Sequence, residues 1–123
     1  MPGRIDIYKE IGKSISSAMQ ELNLQDSTII AASSDMTHYE PQEIAEKKDK
    51  AAIEAILELN EDKLIHTVNA LNISMCGYIP TVIMLTAVKL LGASSARLIS
   101  YQTSAQASGN YSSVVGYAGI IVN

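Results

Sequence analysis

With 123 residues, the chain has the size of a single domain and can bury a core of moderate size. Its content of 47% hydrophobic and 18% charged residues excludes a disordered chain. The net charge is −4, lysines and arginines form no cluster, and the six tyrosines are scattered. We therefore expect neither nucleic acid nor a membrane as a partner.

The single cysteine, Cys76, excludes an internal disulfide and is typical of a protein from the reducing cytoplasm. The first residues, MPGRID, contain no apolar signal core. The longest apolar segment, residues 79–91, is interrupted by Lys89 and is too short to span a bilayer. These features predict a soluble, cytoplasmic protein.

Apolar residues at helical spacing predict a first helix over residues 5–22. Residues 27–33 form a continuous apolar run, which predicts a strand with both faces covered. A second helix begins at Pro41, and its Glu–Lys pairs at i,i+4 indicate a solvated face. Its inner side carries Ile44, Ala51, Ala52, Ile56 and Leu59.

Asn60 predicts the N-cap of a third helix, and residues 80–91 predict a fourth that is apolar nearly all round and largely buried. Strands are predicted over residues 96–101 and 113–122. The Ser/Ala/Gly-rich loop between them, residues 102–111, is either mobile or shaped around a ligand. Three apolar strands and several one-sided helices leave edges uncovered, which predicts part of a larger fold or a protomer that needs another chain.

Three polar residues, Asp35, Thr37 and His38, follow the strand predicted over residues 27–33. Ligands of open α/β folds bind at the carboxyl ends of strands, so this turn is a candidate site. In the functional interpretation, His38 is a general base or a metal-associated group, and Asp35 orients its ring and sets its tautomer. In the structural interpretation, Asp35 and Thr37 satisfy loop amides or cap the second helix, and His38 has no role.

A second loop contains Cys76, which is either a metal thiolate or nucleophile, or a buried and inert small hydrophobe. His66, off the apolar stripe of the third helix, is predicted to lie on the surface. Tyr111, Ser112 and Ser113 either bind a ligand or close a strand turn.

Five blocks of the chain resemble the MEMO (mediator of cell motility) family, which includes AmmeMemoRadiSam system protein B. The order and spacing of the blocks agree with the family over essentially the whole chain. The blocks are residues 32–39 (ASSDMTHY), 48–53 (KDKAAI), 75–80 (MCGYIP), 101–104 (YQTS) and 109–118 (GNYSSVVGYA).

This resemblance implies an α/β fold equivalent to the C-terminal half of a class III extradiol dioxygenase-like protein, with helices packed on a small mixed sheet. Residues 1–123 would form one such domain, truncated at its N-terminus. It also implies an iron or copper pocket in which Cys76 is a metal ligand and Asp35 and His38 are the catalytic residues. The two histidine ligands of the family lie in the N-terminal half, which would be missing here.

The resemblance leads to two functional hypotheses. In the first, the chain contributes Cys76 and the loop of Asp35 and His38 to a metal pocket completed by the missing half. In the second, it is a non-catalytic module that recognises a protein or peptide through a vestigial pocket. The implied partners are the missing N-terminal half or another copy of the chain, and AMMECR1-type or radical-SAM proteins.

Overall fold

The computed structural model describes residues 4–123, and residues 1–3 of the predicted domain lie outside this part. Within it, the chain forms an α/β fold of five helices and three strands. None of these helices is long and apolar enough to cross a membrane. In chain order the elements are α1 (Arg4–Glu21), β1 (His38–Glu40), α2 (Gln42–Leu57), α3 (Glu61–Ala70), α4 (Tyr78–Leu90), β2 (Ala96–Thr103), α5 (Ala105–Ser108) and β3 (Val114–Val122).

The four long helices and two of the strands agree with the sequence pattern to within two residues at most ends. Asn60 caps α3 as predicted, since its side chain accepts a 3.0 Å hydrogen bond from the Lys63 amide. The loop predicted over residues 102–111 instead contains the end of β2 and the short helix α5. Thr103 organises this region, because its hydroxyl contacts the side-chain amides of Gln42 and Gln106.

The sheet has the order β1-β3-β2, and both pairs are antiparallel in the described part of the chain. The mixed sheet expected from the family resemblance is therefore wrong. β2 and β3 pair along nearly their whole lengths, with Tyr101 opposite Ala118 and Thr103 opposite Gly116. The core lies between one face of these strands and helices α2, α3 and α4.

The strand predicted over residues 27–33 is also wrong. These residues belong to no strand, and Ile29 is 90% exposed. The sheet instead receives the three residues of β1, just after the candidate turn. The apolar run indicates that these side chains prefer burial. A strand also needs a neighbouring strand for its backbone hydrogen bonds, and none lies beside this segment within residues 4–123.

A buried carboxylate, Asp49 on α2, joins three segments of the fold. Its Oδ1 accepts a 2.8 Å hydrogen bond from the Thr37 amide, and its Oδ2 accepts one of 2.5 Å from the Tyr101 hydroxyl. Burial, followed by the hydrogen bond to Asp49, raises the pKa of Tyr101 well above its usual value, so the phenol stays a donor. Gly116 of β3 passes so close that an added Cβ would lie 1.9 Å from Asp49 Oδ2.

We predict that Gly116→Ala lowers the free energy of unfolding by about 3 kcal/mol, because the methyl group must displace a buried carboxylate from its donors. Gly119→Ala is the matched control in the same strand, since nothing lies within 4 Å of an added Cβ there. Urea denaturation of both variants measures the difference. Equal effects at the two positions would contradict the close approach.

A second buried carboxylate, Glu61, ties α3 to α4. It accepts hydrogen bonds from Lys89 Nζ (2.7 Å) and Thr86 Oγ1 (2.8 Å). Burial alone raises the pKa of Glu61, but the hydrogen bonds from Lys89, its own backbone amide and Thr86, with the charge of Lys89, bring it below the usual 4.5. Because the folded pKa is the lower one, this carboxylate stabilises the fold above pH 4.5 and less as the pH falls through the folded pKa.

We therefore expect Glu61→Gln to destabilise the chain more at neutral pH than in acid, where the wild-type carboxyl is protonated as well. Chemical denaturation across this pH range gives the comparison. Asp62→Asn is the control: its carboxylate is 71% exposed and pairs only with Lys9 at the surface, so little change is expected at any pH. A Glu61→Gln penalty that does not vary with pH would rule out the carboxylate's contribution.

Candidate metal-binding site

Two loops meet to form the candidate site. The first, residues 33–38, leads into β1, and the second, residues 73–77, joins α3 to α4. Gly77 makes their close approach possible, because a Cβ at this position would lie 2.5 Å from Ser34 Cβ and 2.8 Å from the Ser33 carbonyl oxygen. Its amide donates a 2.8 Å hydrogen bond to Ser34 Oγ. The contact between the loops therefore depends on a residue without a side chain at position 77.

The loops bring together one candidate ligand atom each from Asp35, His38 and Cys76, all within 4.8 Å of one another. Asp35 Oδ2 lies 3.5 Å from His38 Nε2. The side chains of Asp35 and His38 are 49% and 23% exposed, and Cys76 is exposed as well. The interpretation of Cys76 as a buried residue is therefore wrong. Oxygen, nitrogen and sulfur donors instead face a shared, solvent-accessible position that could hold a metal ion.

Ser74 fixes the orientation of the His38 ring. The His38 amide donates to Ser74 Oγ (2.8 Å), and His38 Nδ1 lies 2.7 Å from the Ser74 carbonyl oxygen. Because a carbonyl can only accept, Nδ1 carries the proton, and Nε2 presents its lone pair towards Asp35 and Cys76. The tautomer is thus set by Ser74 and not by Asp35, the residue that the sequence suggested for this role.

Ser34 connects the two loops at the base of the site. Its hydroxyl donates to the Asp35 carbonyl oxygen (2.7 Å), accepts from Gly77 and lies 3.7 Å from Cys76 Sγ. It therefore holds the backbone of both donor-bearing loops and contacts the sulfur directly.

Thr37 lies between the donors in sequence but faces the opposite way. It is fully buried, its amide is bound to Asp49, and its hydroxyl has no hydrogen-bond partner within residues 4–123. Helix α2 begins after Pro41 without a side-chain cap. Capping of this helix by Asp35 or Thr37, one of the two roles in the structural alternative for the turn, is therefore not observed.

The remaining candidates lie outside the site. His66 is exposed on α3, as predicted. Ser112 bonds to the side chain of Asn110, and the Tyr111 carbonyl accepts from the Gln42 amide, so this segment closes a turn beside α2. Sequence reasoning missed Ser34, Ser74 and Asp49. Only Asp49 gave a signal, as a charged residue one helical turn from the apolar positions Ala45 and Ile53.

Comparison with known proteins gives one family and a group of archaeal and bacterial relatives. A family model described as "Memo-like protein" matches residues 2–121. A MEMO1 family protein from Methanocaldococcus jannaschii is 53% identical over 113 residues, covering 92% of this chain and 39% of that relative. A MEMO1 family protein from Aquifex aeolicus is 38% identical over 112 residues, covering 91% of this chain and 42% of the relative. The chain thus spans about two fifths of the length of these relatives.

The geometry around Ser74 predicts that neutral His38 has its proton on Nδ1 and not on Nε2. Long-range proton–nitrogen NMR correlations of the imidazole rings report the tautomer directly. His66, exposed on α3, is the internal control and should show no such fixed state. A proton found on Nε2 of His38 would contradict the assigned geometry.

Proposed function

Because the chain belongs to the Memo-like protein family, we propose that Asp35, His38 and Cys76 form one side of an iron or copper site. The observation that carries this proposal is the convergence of the three donor atoms within 4.8 Å. In this proposal Cys76 is a metal ligand, and Asp35 and His38 act as further donors or as acid/base groups beside it.

The donor set fits a transition metal. Nitrogen, sulfur and carboxylate ligands sit about 2.0–2.3 Å from such an ion, which puts them roughly 3–4 Å from one another. The 3.5 Å between Asp35 Oδ2 and His38 Nε2 lies in this range. All three donor atoms lie within 4.8 Å of one another, so small side-chain rotations would bring the whole group into the range. Thiolate and imidazole together favour iron, copper and zinc over magnesium or calcium. The family resemblance selects iron or copper.

An ion held by these residues would supply Lewis-acid or one-electron chemistry at an open, solvent-accessible position. The chain's own part is orientation and proton handling. Ser74 keeps Nδ1 of His38 protonated. Only Nε2 is then free to coordinate a metal ion or to accept a proton. Asp35 Oδ2 lies 3.5 Å from that nitrogen, so a carboxylate oxygen stands beside the ring atom that would bind the ion.

The proposal includes further ligands from outside residues 4–123. Three donors from two loops leave coordination positions open, the pattern of catalytic metal sites. His66 does not fill them, because it lies on the exposed side of α3. About three fifths of the M. jannaschii relative has no counterpart in this chain. In our proposal this part supplies the two histidine ligands and completes a dioxygenase-like fold, of which residues 1–123 form the C-terminal domain.

We expect the chain alone to bind Fe(II) or Cu(II) at one site, weakly and with water in the remaining positions. Loss of a residue that only hydrogen-bonds to a metal ligand typically reduces metal affinity by about 10–100-fold. Cys76→Ala removes a ligand itself, so we expect a reduction at least as large. Calorimetric titration under anaerobic conditions measures the affinity, and X-ray absorption identifies the ligand atoms.

His66→Ala is the matched control, since it removes an imidazole away from the site. Unchanged affinity in Cys76→Ala, or equal losses in both variants, would contradict the site. Tight binding by the chain alone, with a full set of protein ligands, would contradict the need for outside donors.

A second candidate function is recognition of a protein or peptide without catalysis. The supporting observation is the exposure of large apolar side chains on β2 and β3, with Ile99, Tyr117 and Ile121 each more than 40% exposed. This function needs no metal. Retention of partner binding in Cys76→Ala, together with failure of the metal titration, would favour it.

A further inference from the structure

An apolar cleft separates residues 28–35 from β3. The cleft has a volume of about 380 Å³, and no charged residue lines it. Ile30, Ala32 and Met36 form one wall, and Ala118, Ile120 and Val122 of β3 form the other. The floor is provided by Ile56 of α2 and Met84 of α4.

The two walls are joined at one end only. The Met36 amide donates to the Gly116 carbonyl and the Gly116 amide to the Thr37 carbonyl, each at 2.9 Å. Beyond this point, within the described part of the chain, residues 28–35 make no backbone–backbone hydrogen bond. The edge of β3 from residue 117 onwards is also unpaired on the side facing the cleft, because β2 occupies its other side. Both walls therefore present amide and carbonyl groups without backbone partners in the described part of the chain.

We propose that the cleft receives an extended, uncharged polypeptide strand, which pairs with the free edge of β3 and with residues 28–35. Unpaired backbone edges beside an apolar floor favour strand addition, since main-chain hydrogen bonds supply affinity and the side-chain pockets supply specificity. A small apolar ligand would fill the volume but leave the amides of both walls unpaired.

The occupant is a segment equivalent to the part of the relatives that this chain does not match. That part is roughly three fifths of the M. jannaschii protein, long enough to contain several strands. An uncharged strand fits because the lining offers no countercharge. A strand that fills the cleft would also cover part of Ile29, the most exposed large apolar residue of the described chain. The inference does not depend on metal binding, but it rests on one element of the proposed function, the completion of the fold by this part of the relatives.

The test uses the full 123-residue chain co-expressed with the unmatched part of the M. jannaschii relative, purified in chelator and examined by residue-resolved hydrogen exchange. In the chain alone, the amides of residues 29–33 should exchange almost unprotected. In the complex, amides on both cleft walls should gain protection on the order of 100-fold. Because metal is absent, this result is separable from the metal titration.

Two proline variants provide a matched pair. Successive amides of a strand point to opposite sides, so only one of residues 29 and 30 donates into the cleft. Of Ile29→Pro and Ile30→Pro, one should weaken the complex by about tenfold or more, the equivalent of one lost backbone hydrogen bond, and the other should bind nearly normally. Neither amide is hydrogen-bonded to backbone in the free chain, so both variants should fold.

Failure of the two parts to copurify would overturn the proposal, and so would a complex that forms without protection of either wall. Equal affinity of both proline variants and the wild type would also overturn it. Protection that appears in the chain alone and grows with its concentration would assign the cleft to a second copy of the chain instead.

Discussion

The buried Asp49 carboxylate holds α2, β2 and the loop before β1 together. Transfer of an ionised carboxylate from water to the interior costs several kcal/mol unless hydrogen bonds replace its hydration. Asp49 is fully buried and accepts hydrogen bonds from the Thr37 amide and the Tyr101 hydroxyl. Because neither bond can be lost cheaply, α2, β2 and the loop before β1 are held at fixed distances from one another.

This constraint reaches the candidate site through one peptide unit. With its amide bound to Asp49, Thr37 points into the interior, and the next side chain, His38, points to the opposite side, as in a strand. Ser74 then holds the His38 ring through its Nδ1 proton, and Ser34 fixes the second loop through Gly77. The donor geometry thus depends on backbone amides and small hydroxyl residues. These contacts also explain how an exposed cluster keeps its arrangement without a buried side chain of its own.

Residue spacing and capping signals in the sequence predicted the elements that depend on neighbouring residues alone. The four long helices follow from apolar spacing, from the Asn60 cap and from Pro80 in the first turn of α4. The candidate residues Asp35 and His38 stood out as polar groups directly after an apolar run, and Cys76 stood out as the single cysteine. Their convergence could not be derived, since it depends on contacts across about 40 residues, such as that of Ser34 with Gly77. The strand predicted over residues 27–33 was wrong, because hydrophobicity indicates burial and does not identify a neighbouring strand to pair with.

The cleft and the candidate metal-binding site share Ser34, and this has an energetic consequence. Ser34 lines the cleft, and its hydroxyl touches Cys76 Sγ and bonds to Gly77. Within residues 4–123, residues 28–35 have no backbone partners, and the anchoring of the loop that carries Asp35 begins with the side-chain bonds of Ser34. A strand paired along this segment would reduce the number of conformations open to Asp35, and a metal ion bound to Asp35 would do the same for the segment. Each event lowers the entropy cost of the other, so the two are coupled with the same factor in both directions. The weak metal binding expected of the chain alone and its open cleft would then have one physical origin, a segment without backbone partners that leads directly into the candidate site.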